Sequence, residues 1–448
     1  MSHKTVRDFV FDKIGYKPTE AQAPIHESGA RIKLVAGGER SGKSTVASAE
    51  FTTRFPAGEL YWLVASDYER TRAEYTYICE NLDKLGWAYE ATKQIDPGEI
   101  LIAGGFRVVT KSARDPRKLA MEAPDGIIAC EASQLTYEDF LRLRGRIAEK
   151  RGWLFMAGSF ESSLGWYPEM WQRGQIPTID EFGHCEFQSF SIPTWSNTVI
   201  FPGGRNDPEI LALERSSSKE WFSERYGGVP MPPQGLVFKE FSVVYHTGQG
   251  KEYNFDPAAP VYLWVDPGYQ TVYAILAVQK RGEHIYVVDE VYESGLVTSD
   301  IIKVCKQKPW WDKVIGGAID IAGTRHQAMP APAEVWAHEG RVVLRSQRVR
   351  IQDGIERVKT YLIVNPVTNT SLLHINVNCR GLISELGGCP SPQDGQTHVY
   401  KWRADKEGSI IGDVPEDKHN HACKALAYGL VDLVGYSQAQ TKIKVKFF

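Results

Sequence analysis

Residues 37–45 read Gly37-Gly38-Glu39-Arg40-Ser41-Gly42-Lys43-Ser44-Thr45, directly after the apolar run Ile32-Lys33-Leu34-Val35-Ala36. A buried strand that feeds a glycine-rich turn and then a helix leaves few architectures open. The spacing G-x-x-x-x-G-K-[ST] lets successive backbone N–H groups turn toward one anion. Lys43 reaches the β- and γ-phosphates, and the Ser44 hydroxyl holds Mg²⁺. The helix predicted from Val46 to Arg54 adds positive potential at its N-terminus. A plain surface turn would leave the Lys-Ser pair unexplained. Gly37, Arg40, Ser41, Gly42, Lys43, Ser44 and Thr45 are therefore the candidate nucleotide-binding residues.

Length bears on what surrounds this loop. At 448 residues the chain favours two domains or more. Its 42% apolar and 24% charged content is ordinary for a globular protein. The apolar runs are strand-sized, so no membrane span is expected, and the polar start Met1-Ser2-His3-Lys4 does not read as a signal peptide. Seven cysteines without a C-x-x-C pair suit a reducing compartment and give no zinc signature. A net charge of −3 lacks a basic excess, so any nucleic-acid contact rests on local patches. Candidates are Arg142, Arg144, Arg146, Lys150 and Arg151, and Arg341, Arg345, Arg348 and Arg350, each equally readable as a solvated face.

Strand-like and helical runs alternate from about residue 30 to 160: strands at 60–65, 106–110, 126–129 and 153–157, with a helix at 68–86. Such alternation predicts a parallel sheet with helices on both faces. Its ligands gather at the carboxyl ends of the strands, where the phosphate loop sits. The strand 126–129 ends in Cys130-Glu131. Glu131 suits the residue that orients or deprotonates the attacking water. The preceding position, where an Asp usually serves Mg²⁺, carries Cys130, a poor ligand for a hard ion. Either Ser44 and waters carry the metal, with Asp125 helping, or hydrolysis is weak. Tyr16 and Gln22 precede the loop and suit contacts to the adenine of ATP; Thr19 and Gln22 equally spell a capping box. Arg40 inside the loop is placed to neutralise γ-phosphate charge, and Arg144 or Arg146 to serve a neighbouring subunit in trans.

The loop Gly37–Thr45, the strand ending in Glu131, and the strand before Gly158-Ser159 resemble the ATPase of the large terminase subunits of tailed bacteriophages. In that family the last element couples γ-phosphate loss to movement, a role that falls here on Gly158-Ser159.

Turn-rich stretches at 202–208 and 227–233 mark a connection over residues 201–249. Residues 1–200 are then a P-loop ATPase domain and 250–448 a second domain. In the latter, Pro260–Tyr269 and residues 273–278 read as two antiparallel strands, with Asp266 on the first. A strand at 284–290 carries Asp289 and Glu290, and a later strand ends in Asp320. Acids at successive strand ends suggest an RNase H-like site for two Mg²⁺ or Mn²⁺ ions. A lone Asp at a strand end is more often a cap; the order of strands and acids singles out Asp266 and Asp320. Terminase nucleases resemble this segment too, through the Asp-Pro-Gly strand, helical runs at 332–340 and 351–355, the segment 373–386 and a final helix preceded by Asn-His.

The third acid is open. Where relatives have Asp this chain has Lys424. Asp417 is the choice, with Asp413 and His421 as rivals; imidazole would favour Mn²⁺, and Lys424 would repel a second metal. The fold class expected is α/β: a P-loop NTPase domain (parallel-sheet, ASCE-like) followed by an RNase H-like α/β nuclease domain. The resemblance implies an ATP-driven motor that packages double-stranded DNA and cuts it with a metal-dependent endonuclease. Its implied partners are a portal protein, a small terminase subunit and further copies in a ring, with no membrane, in the host cytoplasm during assembly and not in the mature virion. The alternatives are a helicase or repair ATPase fused to a nuclease, and a nucleotide-dependent switch with weak hydrolysis.

Overall fold

In the computed structural model, residues 5–232, 235–320, 330–396, 398–404 and 410–435 are described. The polar start at residues 1–4, Pro233 in the turn-rich stretch and the side chain of Asp413 lie outside the described part. The chain divides into two compact units, Met1–Pro232 and Pro233–Phe448.

The strand that feeds the phosphate loop, β1 (Ile32–Gly37), is buried at every residue. Only a strand covered on both faces and paired on both edges permits that. The first unit supplies seven more: β2 (Leu60–Ala65), β3 (Tyr89–Ala91), β4 (Glu99–Ile102), β5 (Phe106–Ser112), β6 (Gly126–Ala129), β7 (Trp153–Gly158) and β8 (Phe187–Ile192). They lie in the order β3-β4-β5-β2-β6-β7-β1-β8. Six strands run parallel, while β3 and β4 form an antiparallel margin on β5. Strand β7 stands between β1 and β6, the ASCE-like arrangement. The strands expected at 60–65, 106–110, 126–129 and 153–157 are present. The β3–β4 hairpin and β8 were not expected: β3 is three residues long and largely exposed, and β8 (Phe-Gln-Ser-Phe-Ser-Ile) alternates polar residues that only its pairing with β1 makes strand-like. The helical run at 68–86 starts as a 3₁₀ turn, Tyr68–Thr71, before the helix Arg72–Leu85.

Residues 201–232 carry helices instead of an open connection. Pro208 begins the helix Pro208–Ser216, a position where its missing N–H costs nothing. Phe201, Ile210, Phe222 and Tyr226 close a small apolar cluster.

The second unit has a seven-stranded sheet. Its members are β9 (Thr247–Gly248), β10 (Val261–Asp266), β11 (Val272–Arg281), β12 (His284–Ser294), β13 (Val314–Ile319), β14 (Leu344–Arg345) and β15 (Leu373–Asn376). The order is β14-β13-β10-β11-β12-β15-β9. Strands β10, β11 and β12 form an antiparallel meander, and β13 and β14 continue parallel on its other side. This is the RNase H-like arrangement. The helix His421–Val434 lies flat on β10, because a Cβ at Gly429 would sit 1.9 Å from the Trp264 ring. That contact brings the helix N-terminus to the end of β10.

Burial of charge around Glu50 is matched group by group. Glu50, on the helix Lys43–Arg54, is 2% exposed. Its carboxylate lies 2.7 Å from Lys33 Nζ on β1, 2.7 Å from His26 Nδ1 and 2.7 Å from Arg54 Nη2. Burial works against ionisation, yet the His26 hydrogen bond and the Lys33 and Arg54 charges outweigh it, moving the pKa from 4.5 to about 2. A folded-state pKa below the unfolded value adds stability that is full above pH 4.5 and disappears as pH falls toward 2. Glu50→Gln should therefore cost about 3–5 kcal/mol near neutrality, as removal of one partner strands the others. It should also flatten the loss of stability between pH 4.5 and 2, measured by denaturant unfolding across that range.

Candidate functional site

The phosphate loop is built by close approach. A Cβ at Gly37 would lie 2.5 Å from Lys43 Cγ, and one at Gly38 would lie 2.3 Å from the Tyr226 carbonyl oxygen. Gly42 turns the chain at φ +91° into the helix Lys43–Arg54. Arg40 takes φ 59°, holds Asn197 through its carbonyl at 2.7 Å and leaves its side chain exposed. Ser41 is fully buried, and its hydroxyl has no partner among the described residues. Thr45 is exposed and Ser44 half-buried at the start of the helix. A cradle without Cβ atoms, an unmatched hydroxyl and a helix N-terminus fit a phosphate with Mg²⁺ at Ser44.

Lys43 donates to the carbonyl oxygens of Gly37 (3.3 Å) and Gly38 (3.1 Å) and to Ser159 Oγ (2.9 Å). Ser159 in turn donates to the Gly37 carbonyl at 2.8 Å. Burial lowers the Lys43 pKa, and the Glu131, Glu74 and Glu39 charges oppose it. The lysine thus joins β1 to the end of β7 directly.

Glu131 follows β6 at φ 45°, ψ 50°, a left-handed conformation costly for a residue with a side chain. Cys130 is fully buried, and burial raises its thiol pKa well above the usual range. Asp125, expected to help the metal, lies at the opposite end of the same strand. Its carboxylate accepts from the Glu59 and Leu60 N–H groups at 2.9 and 3.0 Å and pairs with Lys150 at 3.0 Å. A strand places its two ends too far apart for both to meet one ion, at about 3.3 Å per residue. Sequence reading missed Glu74. It is 3% exposed in the first turn of Arg72–Leu85, where burial raises its pKa and the nearby Ser44 hydroxyl and Cys130 thiol oppose the rise. Nothing local marks it, because its partners are 30 and 56 residues away.

Gln22 is 4% exposed and faces the loop backbone: its amide donates to the Ser41 carbonyl at 3.4 Å, while its oxygen accepts from Tyr16 OH and Thr19 N–H, each at 3.1 Å. Only that half of the capping box forms, since Thr19 Oγ1 has no partner among the described residues. Arg144 is 54% exposed and 3.7 Å from Glu186, and Arg146 donates to the Ala120 carbonyl at 3.1 Å. Arg225 was also missed. It grips Glu39 of the loop at 2.7 Å and Glu161 at 3.1 Å.

In the second unit, β10 and β13 run parallel with Val265 opposite Ile319, so Asp266 and Asp320 leave the sheet side by side. Asp320 N–H donates to the Val265 carbonyl at 3.1 Å. Asp266 is 4% exposed; burial raises its pKa, His421 and Lys424 oppose the rise, and the Asp320 charge adds to it. His421, the first residue of the last helix, places Nδ1 2.7 Å from Asp266 Oδ2. Burial disfavours its charged form, but the bond to Asp266 wins and its pKa is raised.

Asp417, preferred above as the third ligand, is 76% exposed and held by Lys424 at 2.6 Å and Asn420 at 3.1 Å. The chain reverses at His419 (φ 50°), which puts His421 in the position facing Asp266. Asp289 and Glu290 lie on β12, which does not touch β10. Asp289 pairs with Lys308 at 2.9 Å, and Glu290 accepts from the Gly381 and Leu382 N–H groups at 2.6 and 3.1 Å. Among the described residues no three His, Cys, Asp or Glu side chains converge on one metal position. The donor chemistry, two carboxylates and an imidazole, still suits a hard or borderline cation. No helix among the described residues is long and apolar enough to cross a membrane.

No family model matches the chain. It is 26% identical over 251 residues to the large terminase subunit of Thermus virus P23-45, which is 50% of this chain and 48% of that protein. It is 25% identical over the same length to the large terminase subunit of Thermus phage G20c. The chain therefore spans about half the length of the curated relatives it matches. Among solved structures, the large terminase ATPase domain of Thermus phage P74-26 has a TM-score of 0.41 at 23% identity, covering 50% of this chain and 98% of that one. The large terminase nuclease domain of bacteriophage SPP1 with bound Mn has a TM-score of 0.30 at 14% identity, covering 44% and 98%. At such scores neither structure adds an argument. The sequence relatives do: this chain is similar to the large terminase subunits of phages.

Proposed function

We propose that the protein is the large subunit of a DNA-packaging terminase, an ATPase and a metal-dependent endonuclease in one chain. The observation that carries this reading is the succession of two units: an ASCE-like sheet with Lys43 bonded to Ser159, then an RNase H-like sheet with Asp266 and Asp320 on adjacent strand ends. A helicase or repair ATPase fused to a nuclease would share both units; the similarity to large terminase subunits favours the packaging reading.

In the first unit, Lys43 bonds either Ser159 or phosphate oxygens with the same ammonium donors. Moving it to a nucleotide releases the end of β7, so strand position reports phosphate occupancy. Glu131 is the base that orients the attacking water, with Arg40 near the γ-phosphate and Arg144 or Arg146 acting on a neighbouring copy. Gln22 contacts the base. Residues 201–249 are the lid and linker, with Arg225 holding the lid to Glu39. Bound Mg²⁺ would neutralise charge on the phosphates next to Ser44. A non-hydrolysing switch drew its support from Cys130, and Glu74 beside Cys130 weighs against it.

In the second unit, Asp266 and Asp320 are the ligands of Mg²⁺ or Mn²⁺, which would activate water and stabilise the leaving oxygen. His421 joins them in place of Asp417. Asp266, Asp320 and His421 would hold the ion, and Lys424 is paired with Asp417 at 2.6 Å. The substrate is double-stranded DNA, gripped at phosphates because a translocating motor tolerates any sequence. A portal protein, a small terminase subunit and a ring of copies complete the assembly in the host cytoplasm.

Lys43→Ala should abolish ATP hydrolysis and packaging and leave metal-dependent plasmid cleavage. Asp266→Ala should do the reverse; loss of cleavage by Lys43→Ala at saturating metal would defeat the two-site reading. Glu131→Gln should retain ATP binding and slow phosphate release about 10²–10⁴-fold. His421→Ala should weaken metal dependence of cleavage about 10–100-fold, a size typical of disturbed metal sites, whereas Asp417→Ala changes it little. Titration with both ions should show Mn²⁺ outperforming Mg²⁺.

A further inference from the structure

The end of β6 carries a thiol where the chemistry of Mg²⁺ calls for an oxygen anion, and the nearest carboxylate is not on that strand. Glu74 comes from the helix after β2, the strand that neighbours β6. Its carboxyl group lies close enough to the Ser44 hydroxyl, the Cys130 thiol and its own backbone N–H for each to oppose the rise that burial imposes on its pKa. Its main chain is tied to the same helix as Ser44, since Ser48 Oγ bonds both the Ser44 carbonyl (2.8 Å) and the Glu74 carbonyl (3.4 Å). A carboxylate that merely favoured the first turn of its own helix would stand in solvent. Glu74 is 3% exposed, Lys43 is a cation whose charge it meets, and a buried carboxylate costs several kcal/mol wherever too little opposite charge offsets it. Such a group persists where a cation meets it.

We infer that Glu74 is the positioning carboxylate of the nucleotide-bound cation, supplied by the neighbouring helix in exchange for the missing acid at Cys130. It would orient the Ser44 hydroxyl and add negative charge beside Mg²⁺ when the ion is bound. Cys130 stands fully buried beside Glu74, so an acid at both positions would place two anions together. The inference rests on the nucleotide reading above.

The test is binding of a fluorescent ATP analogue to the full chain, titrated in Mg²⁺ and in EDTA. The unchanged protein should bind more tightly in Mg²⁺. Glu74→Gln should shrink that Mg²⁺ enhancement about 10–100-fold, the usual loss when a partner next to a metal ligand is removed, with affinity in EDTA unchanged. Cys130→Asp added to Glu74→Gln should restore the enhancement, which a purely structural Glu74 would not allow. An undiminished enhancement in Glu74→Gln overturns the inference, as does failure of Cys130→Asp to restore it. If Glu74→Gln does not fold, Cys130→Ser decides: the enhancement should persist, and its loss would put the cation on the Cys130 side and overturn the inference. Failure of the unchanged chain to bind nucleotide in either medium would instead bring down the nucleotide reading itself.

Discussion

Charge buried against the sheets has to be met by another group, and the structure is organised around how several such charges are met. Water is excluded there by sheets covered on both faces, and an unmatched ion costs several kcal/mol. Lys43 is met by loop carbonyls and Ser159, Glu50 by Lys33, His26 and Arg54, and Asp266 by His421. Glu290 and Glu385 are met by backbone N–H groups of helices that start against them, at Gly381 and Leu382 and at Cys423.

These matches connect distant elements. Lys43 and Ser159 lie 116 residues apart, and their bond joins the loop to a neighbouring strand. The same ammonium serves phosphate in the proposed reaction. Binding and strand movement are then alternatives for one set of donors, which is a physical basis for coupling without any separate lever. Behind the loop, a line of contacts runs from the Ser41 carbonyl through Gln22, Tyr16 and His26 to Glu50. It holds the phosphate loop against its own helix. In the second unit the absence of a side chain at Gly429 does comparable work: it lets the last helix lie on Trp264 and deliver His421 to the strand end.

Much was readable because it is local. The phosphate loop, the strands on either side of it and the acids ending β10 and β13 are contiguous patterns, in which burial, spacing and residue type agree. The hairpin β3–β4 and strand β8 were not readable, because short mixed segments become strands only through their partners. Asp125 was misplaced for a related reason: closeness in sequence does not say at which end of a strand a side chain emerges. Asp125 is at the start of its strand, and Asp417 is engaged by Lys424 and Asn420 while His421 bonds Asp266.

The amino-acid sequence by itself determined that an anion-binding loop must sit on a parallel sheet and that a second sheet would end in acids. Glycine placement and alternation are properties of a few consecutive residues. Which groups stand against those loops and acids was decided only by tertiary structure. Glu74 beside Ser44, Ser159 on Lys43 and His421 on Asp266 each join residues 30 or more positions apart. Strand order and helix packing choose such partners, and no local pattern encodes them.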